Sequence, residues 1–142
     1  MPIVETKPKT MSNVVKREQW ADAGFCRETV IFSDAAEQTL VVGTVLGKIT
    51  ATGKYVIALG AASDGSEVPA GIFIGAGTGI EPVLTVPAAT ETNVLVINQG
   101  PAIIGDDQLT LGAGITIQAV ADAFKLLNIN VDTQFKGSLN NV

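Results

Sequence analysis

The feature that most constrains this chain is a succession of short β-forming runs, each stopped by Gly, Pro or an Asp-Gly pair. Phe25 to Ser33 (FCRETVIFS) is dense in β-formers, and Gln38 to Val42 (QTLVV) ends at Gly43. Thr44 to Thr50 (TVLGKIT) and Lys54 to Leu59 (KYVIAL) flank Ala51-Thr52-Gly53, a short Gly-containing hairpin loop. A polar turn follows at Ala62-Ser63-Asp64-Gly65-Ser66, where Asp-Gly supplies the positive φ of a tight turn. Ala70 to Ala76 (AGIFIGA), Val83 to Val86 (VLTV) and Thr92 to Asn98 (TNVLVIN) read as further strands. Pro82, Pro87 and Pro101 punctuate them, which points to short strands or edges rather than one long central sheet.

One helix interrupts the pattern. In Gln118 to Leu127 (QAVADAFKLL), Val120, Ala123, Phe124 and Leu127 fall at i, i+3, i+4 and i+7, on one helical face. Lys125 sits in the last turn, where a cation suits the helix dipole. Asn128 to Asp132 (NINVD) alternates as a final strand. The fold class is therefore α+β and mostly β: a small mixed β domain with one C-terminal helix.

The first residues, 1–24, follow neither period. Pro2 and Pro8 disfavour helix, and Lys7 to Asn13 is polar with little to pack. The expected division is an extended N-terminal arm over 1–24 and a β-rich domain over 25–142. An ordinary disordered terminus is the bland alternative for the arm. Ile3-Val4 and Val14-Val15 are its apolar points, able to add to a partner's sheet edge by strand pairing.

Composition narrows the function. Charged residues are 16% of the chain, against roughly 25% in an average soluble domain. So few charges leave surface that other chains must cover, which favours an oligomer or a part of a larger assembly. Residues 1–20 carry Lys7, Lys9, Lys16 and Arg17 against Glu5 and Glu18, or +2, so the rest of the chain holds −7 of the net −5. An acidic body with a mildly basic arm lacks the dense basic patch of a nucleic-acid binder. The uncharged stretches Gln108 to Ala121 and Thr92 to Gly105 contain Gly, Thr, Gln and Asn, and fall short of the about 20 apolar residues of a membrane span. The start has no secretory pattern, and a single Cys26 gives no disulfide framework, which fits synthesis in a reducing cytoplasm.

Chemistry is equally restricted. The chain has no His, which removes Ser-His-Asp and Cys-His catalysis, and its single Cys excludes thiolate zinc sites. Cys26 reads as a buried structural thiol. Gly75, Gly77 and Gly79 imitate a dinucleotide fingerprint, but position 80 is Ile80 and Pro82 blocks the helix that should follow. Gly43 to Lys48 (GTVLGK) is one residue short of a phosphate loop, with Ile49 where Ser or Thr is required. Asp106-Asp107 looks like a solvated turn, and Asp64 with Glu67 has no frame to separate two carboxyl pKa values. With seven aromatics in all, a sugar-stacking site is poorly supplied. No catalytic residue, metal site or cofactor-binding residue emerges, and an enzyme is not expected.

The run Arg27-Glu28-Thr29-Val30, followed by Val42-Gly43-Thr44-Val45-Leu46-Gly47-Lys48-Ile49-Thr50-Ala51-Thr52-Gly53-Lys54-Tyr55-Val56, resembles the lambda-type phage head decoration protein D family. Many members carry an "SRE-T-V" strand before "AGTVLGK-TATGKYV". The likeness continues through Ala62-Ser63-Asp64-Gly65-Ser66-Glu67-Val68 and Ala70-Gly71-Ile72, similar to "AADGSEVAAGIL". These motifs cover about residues 27–74, and the helix-then-strand ending, Ala119 to Val131, is similar too. Between Gly75 and Leu111 the match is only a pattern of strands, and the stretch around Gln19-Trp20-Ala21 departs from the common "FLLSEA" start.

The resemblance implies a cement protein: a homotrimer on the outer surface of the expanded icosahedral head, clamping adjacent major capsid proteins, with N-terminal segments that order on binding. It implies no nucleic acid, membrane or small-molecule partner. On that reading the capsid-binding residues are Ile3 and Val4 as strand-like apolar anchors, Lys7 and Lys9 at an acidic rim, and Trp20 at the arm's base. Trp20 reads equally as a plain core residue. The rival readings are a tail or fibre-associated β-domain of the virion, and a small carbohydrate-binding or hydrolytic β-domain.

Overall fold

The computed structural model describes residues 14–18, 26–76, 79–80, 83–105 and 109–132. Eleven strands and one helix are assigned within them: β1 (Val15–Glu18), β2 (Arg27–Phe32), β3 (Gln38–Val41), β4 (Val45–Lys48), β5 (Tyr55–Ile57), β6 (Pro69–Ala76), β7 (Gly79–Ile80), β8 (Val83–Val86), β9 (Thr92–Ile97), β10 (Ala102–Gly105), α1 (Ile117–Lys125) and β11 (Ile129–Asp132). The chain is mostly β, with its helix near the C-terminus, as the period analysis requires.

The main sheet runs β4-β5-β2-β9-β6-β7, and β4 pairs a second time, with β6. That extra ladder (Val45 opposite Ile72, Leu46 opposite Gly71) closes five strands into a small barrel. Neighbours are antiparallel except β2 and β5, which meet in parallel at a single position, Phe32 opposite Tyr55. The prolines bound strands without opening the sheet: Pro69 starts β6, Pro87 follows β8 and Pro101 precedes β10. The strands are short, as the prolines suggest, and they close on one another through the β4–β6 ladder.

Alternation fills the barrel. Val30, Phe32, Leu46, Tyr55, Phe73, Val94 and Val96 form one buried cluster, completed by Leu40 and Val86 from the β3–β8 ribbon. The other parity faces a second layer. Val45, Ile72, Ile74 and Ile97 pack there with Ala102 and Ile104 of β10, Ile129 of β11, and Val120 and Phe124 of the helix. With both faces of β6 covered, its run is apolar throughout instead of alternating. The helix is N-capped by Thr116, whose hydroxyl accepts from the Ala119 N–H at 3.1 Å, and Lys125 lies in its last turn. Of the expected helix face, Val120 and Phe124 are fully buried.

Three strands were invisible to the period analysis: β1, β7 and β10. β1 pairs antiparallel with β10, and β10 pairs in parallel with β11. Val14 is completely buried, and Val15 packs against the same cluster. This dipeptide, offered by sequence as a partner's strand, is used by the chain's own core. The boundary expected at residues 24 and 25 falls in the stretch 19–25, outside the described residues.

The tightest point of the barrel is Gly47 on β4, where a Cβ would collide with the Ser66 backbone carbonyl. Gly47→Ala should cost about 1–3 kcal/mol, the usual penalty of overpacking. Phe73→Ala, which empties the barrel interior, should cost about 3–5 kcal/mol. Denaturant unfolding checks both, and an unchanged Gly47→Ala midpoint would show that the β4–β6 junction yields freely.

Candidate functional site

Carboxylates are the first groups to place. Asp64 and Glu67 share the loop between β5 and β6, and the loop itself uses both. Asp64 Oδ1 accepts from the Ser66 hydroxyl and, at 3.1 Å, from the Ser66 N–H, while Glu67 Oε2 accepts from the Gly65 N–H at 2.9 Å. The Ser66 hydroxyl, then its amide, hold the Asp64 carboxyl below its ordinary value of 3.8. Gly65 has φ +102°, the left-handed conformation expected of the Asp-Gly turn. The pair folds a turn and is not arranged for acid–base work.

The other chemical options close in the same way. Cys26 is buried, with its thiol 3.4 Å from the Pro101 carbonyl. Gly75 and Gly79 lie on the paired strands β6 and β7, and Val45–Lys48 is strand, so neither glycine pattern opens a helix. Among the described residues no group of His, Cys, Asp and Glu could hold a metal, and no helix is long and apolar enough to cross a membrane. Asp106-Asp107 lies outside the described residues. What remains is surface.

One ion pair organises that surface. Arg27 Nε and Nη2 each reach one oxygen of Glu18 at 2.8 Å, a bidentate clamp joining β1 to the start of β2. The Glu18 side chain is only 3% exposed, and its hydrogen bond is the main cause that raises the Arg27 guanidinium pKa. Sequence reasoning missed this clamp, since no spacing rule links residues 18 and 27. At the far end of the sheet, Val15 lies opposite Ile104 and Asp132 opposite Gly105. The described chain therefore enters β1 and leaves β11 at the same end of the β1-β10-β11 sheet. The five anticipated capsid contacts, Ile3, Val4, Lys7, Lys9 and Trp20, lie outside the described residues.

The family model for bacteriophage lambda head decoration protein D matches residues 4–130. This chain belongs to that family. Searches of curated proteins and of solved structures give no significant match. The decoration-protein match runs from the N-terminal segment to β11, through the region 75–111 where sequence reading found only a strand pattern. A head decoration protein is a structural component of the phage virion, associated with its capsid, and such a family is not normally enzymatic.

Two measurements test the forces in this decoration protein. Arg27→Ala strands a buried carboxylate and should cost about 2–3 kcal/mol, whereas Lys54→Ala, breaking the exposed pair with Glu91, should cost under about 1 kcal/mol. Equal losses in denaturant unfolding would sink this ranking. The depressed Asp64 pKa contributes stability that is present above pH 3.8 and is lost as pH falls through the folded value, below 3.8. An Asp64→Asn chain should lose that part of the acid dependence, seen by comparing unfolding midpoints at pH 5 and in the acid limb.

Proposed function

We propose that the protein is a capsid cement. It trimerises on the outer surface of the expanded icosahedral head, and each copy clamps adjacent major capsid proteins, with synthesis in the host cytoplasm. The observation that carries the reading is the decoration-protein match, which begins at residue 4 and so includes most of the N-terminal segment as well as the barrel. In this reading Ile3 and Val4 pair with a capsid strand, Lys7 and Lys9 meet acidic capsid surface, and Trp20 anchors the arm's base.

The physical logic is linkage. A ligand that binds only the expanded lattice stabilises that state by its differential affinity. Three arms on one trimer act together, so each contact can be modest. A doubly packed barrel gives the arm a rigid base, and the Arg27–Glu18 clamp fixes where that base ends. A tail-associated β-domain would share the composition, but nothing specific favours it over the head.

The test is co-sedimentation with expanded, empty capsids of the same virus. The deletion must stop at residue 13: Val14 is core and Glu18 is half of the clamp, so removing residues 1–24 would damage the body. Full-length protein should bind saturably, with one trimer per local threefold position. Protein lacking residues 1–13 should keep its unfolding midpoint and lose at least about tenfold in affinity. Equal binding by both would place the affinity in the body, and absence of binding by folded full-length protein would move the reading to a tail component.

A further inference from the structure

β2 pairs with β9 along its whole length, yet its other edge meets a strand only at Phe32. Two hydrogen bonds fix the directions. The Asn98 N–H donates to the Cys26 carbonyl on the β9 side, and the Ser33 N–H donates to the Tyr55 carbonyl on the β5 side. Because bonding direction alternates along a strand, the N–H and C=O of Thr29 and the N–H of Ile31 point away from β9. β5 runs parallel to β2 and begins opposite Phe32, so it continues past the end of β2 instead of lying beside Thr29. Among the described residues no strand covers this stretch of edge.

Natural sheets blunt free edges with Pro, Lys, bulges or covering segments. Among the described residues, Thr29-Val30-Ile31 carries no such guard. Its β-forming residues run in regular register with β9, and Glu28, Thr29 and Ile31 are exposed. Ile31, 40% exposed, is among the few large apolar side chains left in solvent. The border is acidic: Glu28 stands on the strand, where Asn98 Nδ2 donates to it at 3.0 Å, and Asp34 and Glu37 follow in the next loop.

We propose that this edge accepts an extended segment of the major capsid protein. The segment adds as a strand beside β2, with a Lys or Arg against Glu28 and an apolar side chain over Ile31. This rests on the capsid reading above and extends it: the chain donates a strand with its arm and receives one on its body. A second copy is a poor occupant, because it would bring together two bodies that each hold −7 outside residues 1–20, with Glu28, Asp34 and Glu37 near the meeting edges. The chain's own basic arm is engaged elsewhere in that reading.

The test uses full-length protein and expanded, empty capsids, with amide hydrogen exchange read at Thr29 and Ile31. Both amides should exchange freely in the unbound protein and slow at least about tenfold on capsids. Thr29→Pro removes only an outward donor, since that N–H takes no part in the β2–β9 ladder. It should keep the unfolding midpoint and lose at least about tenfold in capsid affinity, and Glu28→Lys should also weaken binding. Capsid binding with unchanged exchange at both amides overturns the proposal, as does full affinity in Thr29→Pro. Slow exchange in concentrated free protein would assign the edge to another copy or to the arm, and would also overturn it. If Thr29→Pro fails to fold, the exchange measured on the unsubstituted chain decides. Failure of the full-length protein to sediment with capsids overturns the capsid reading itself and this inference with it.

Discussion

The second pairing of β4 is the constraint on which the other features depend. A strand with two ladder partners, β5 on one side and β6 on the other, turns a row of short strands into a closed barrel. Closure demands close backbone approach, and Gly47 provides it by leaving room for the Ser66 carbonyl. Ser66 is in turn held by the Asp64 carboxylate, and the Thr50 N–H donates to the Asp64 carbonyl at 2.9 Å. The motifs GTVLGK and SDGSE, which carry the family resemblance, are thus two sides of one junction. The Asp64, Ser66 and Glu67 side chains hold the loop side of that junction together.

Closure also explains how so small a chain sustains two cores. β6 presents Phe73 to the barrel interior and Ile72 and Ile74 to the outer layer, so one strand serves both clusters. Each layer is then anchored to the same rigid ladder, and the helix and the β1-β10-β11 sheet need only pack against a wall that already exists. Covering the outer wall this way hides apolar surface that a chain with 16% charged residues could not solvate well.

Strands and helix with a clear period were legible. β2 to β6, β8, β9, α1 and β11 fall where β-formers or the 3.6 spacing put them, each within a residue or two. What escaped were elements whose order comes from contact and not from pattern. Val15–Glu18 (VKRE) reads as polar arm, yet it is a strand because Val14 has a core to enter and Glu18 has Arg27 to grip. Ala102–Gly105 (AIIG) is short and follows a proline, so only its neighbours β1 and β11 make it a strand. Barrel closure was equally invisible, since a pairing between β4 and β6 leaves no local signature.

Function divided along the same line. The family was readable in a motif run that forms one structural junction, the β4–β6 contact. The working surface is less readable, because edges are defined by what does not pair with them. Thr29 and Ile31 look like ordinary alternating strand residues until the parallel course of β5 shows that no described strand runs beside them. An open edge costs a free protein aggregation resistance. A chain that is already frugal with charge, yet keeps such an edge unguarded beside a border of carboxylates, has a surface shaped for company. Strand addition along that edge is the form of recognition its backbone already supports.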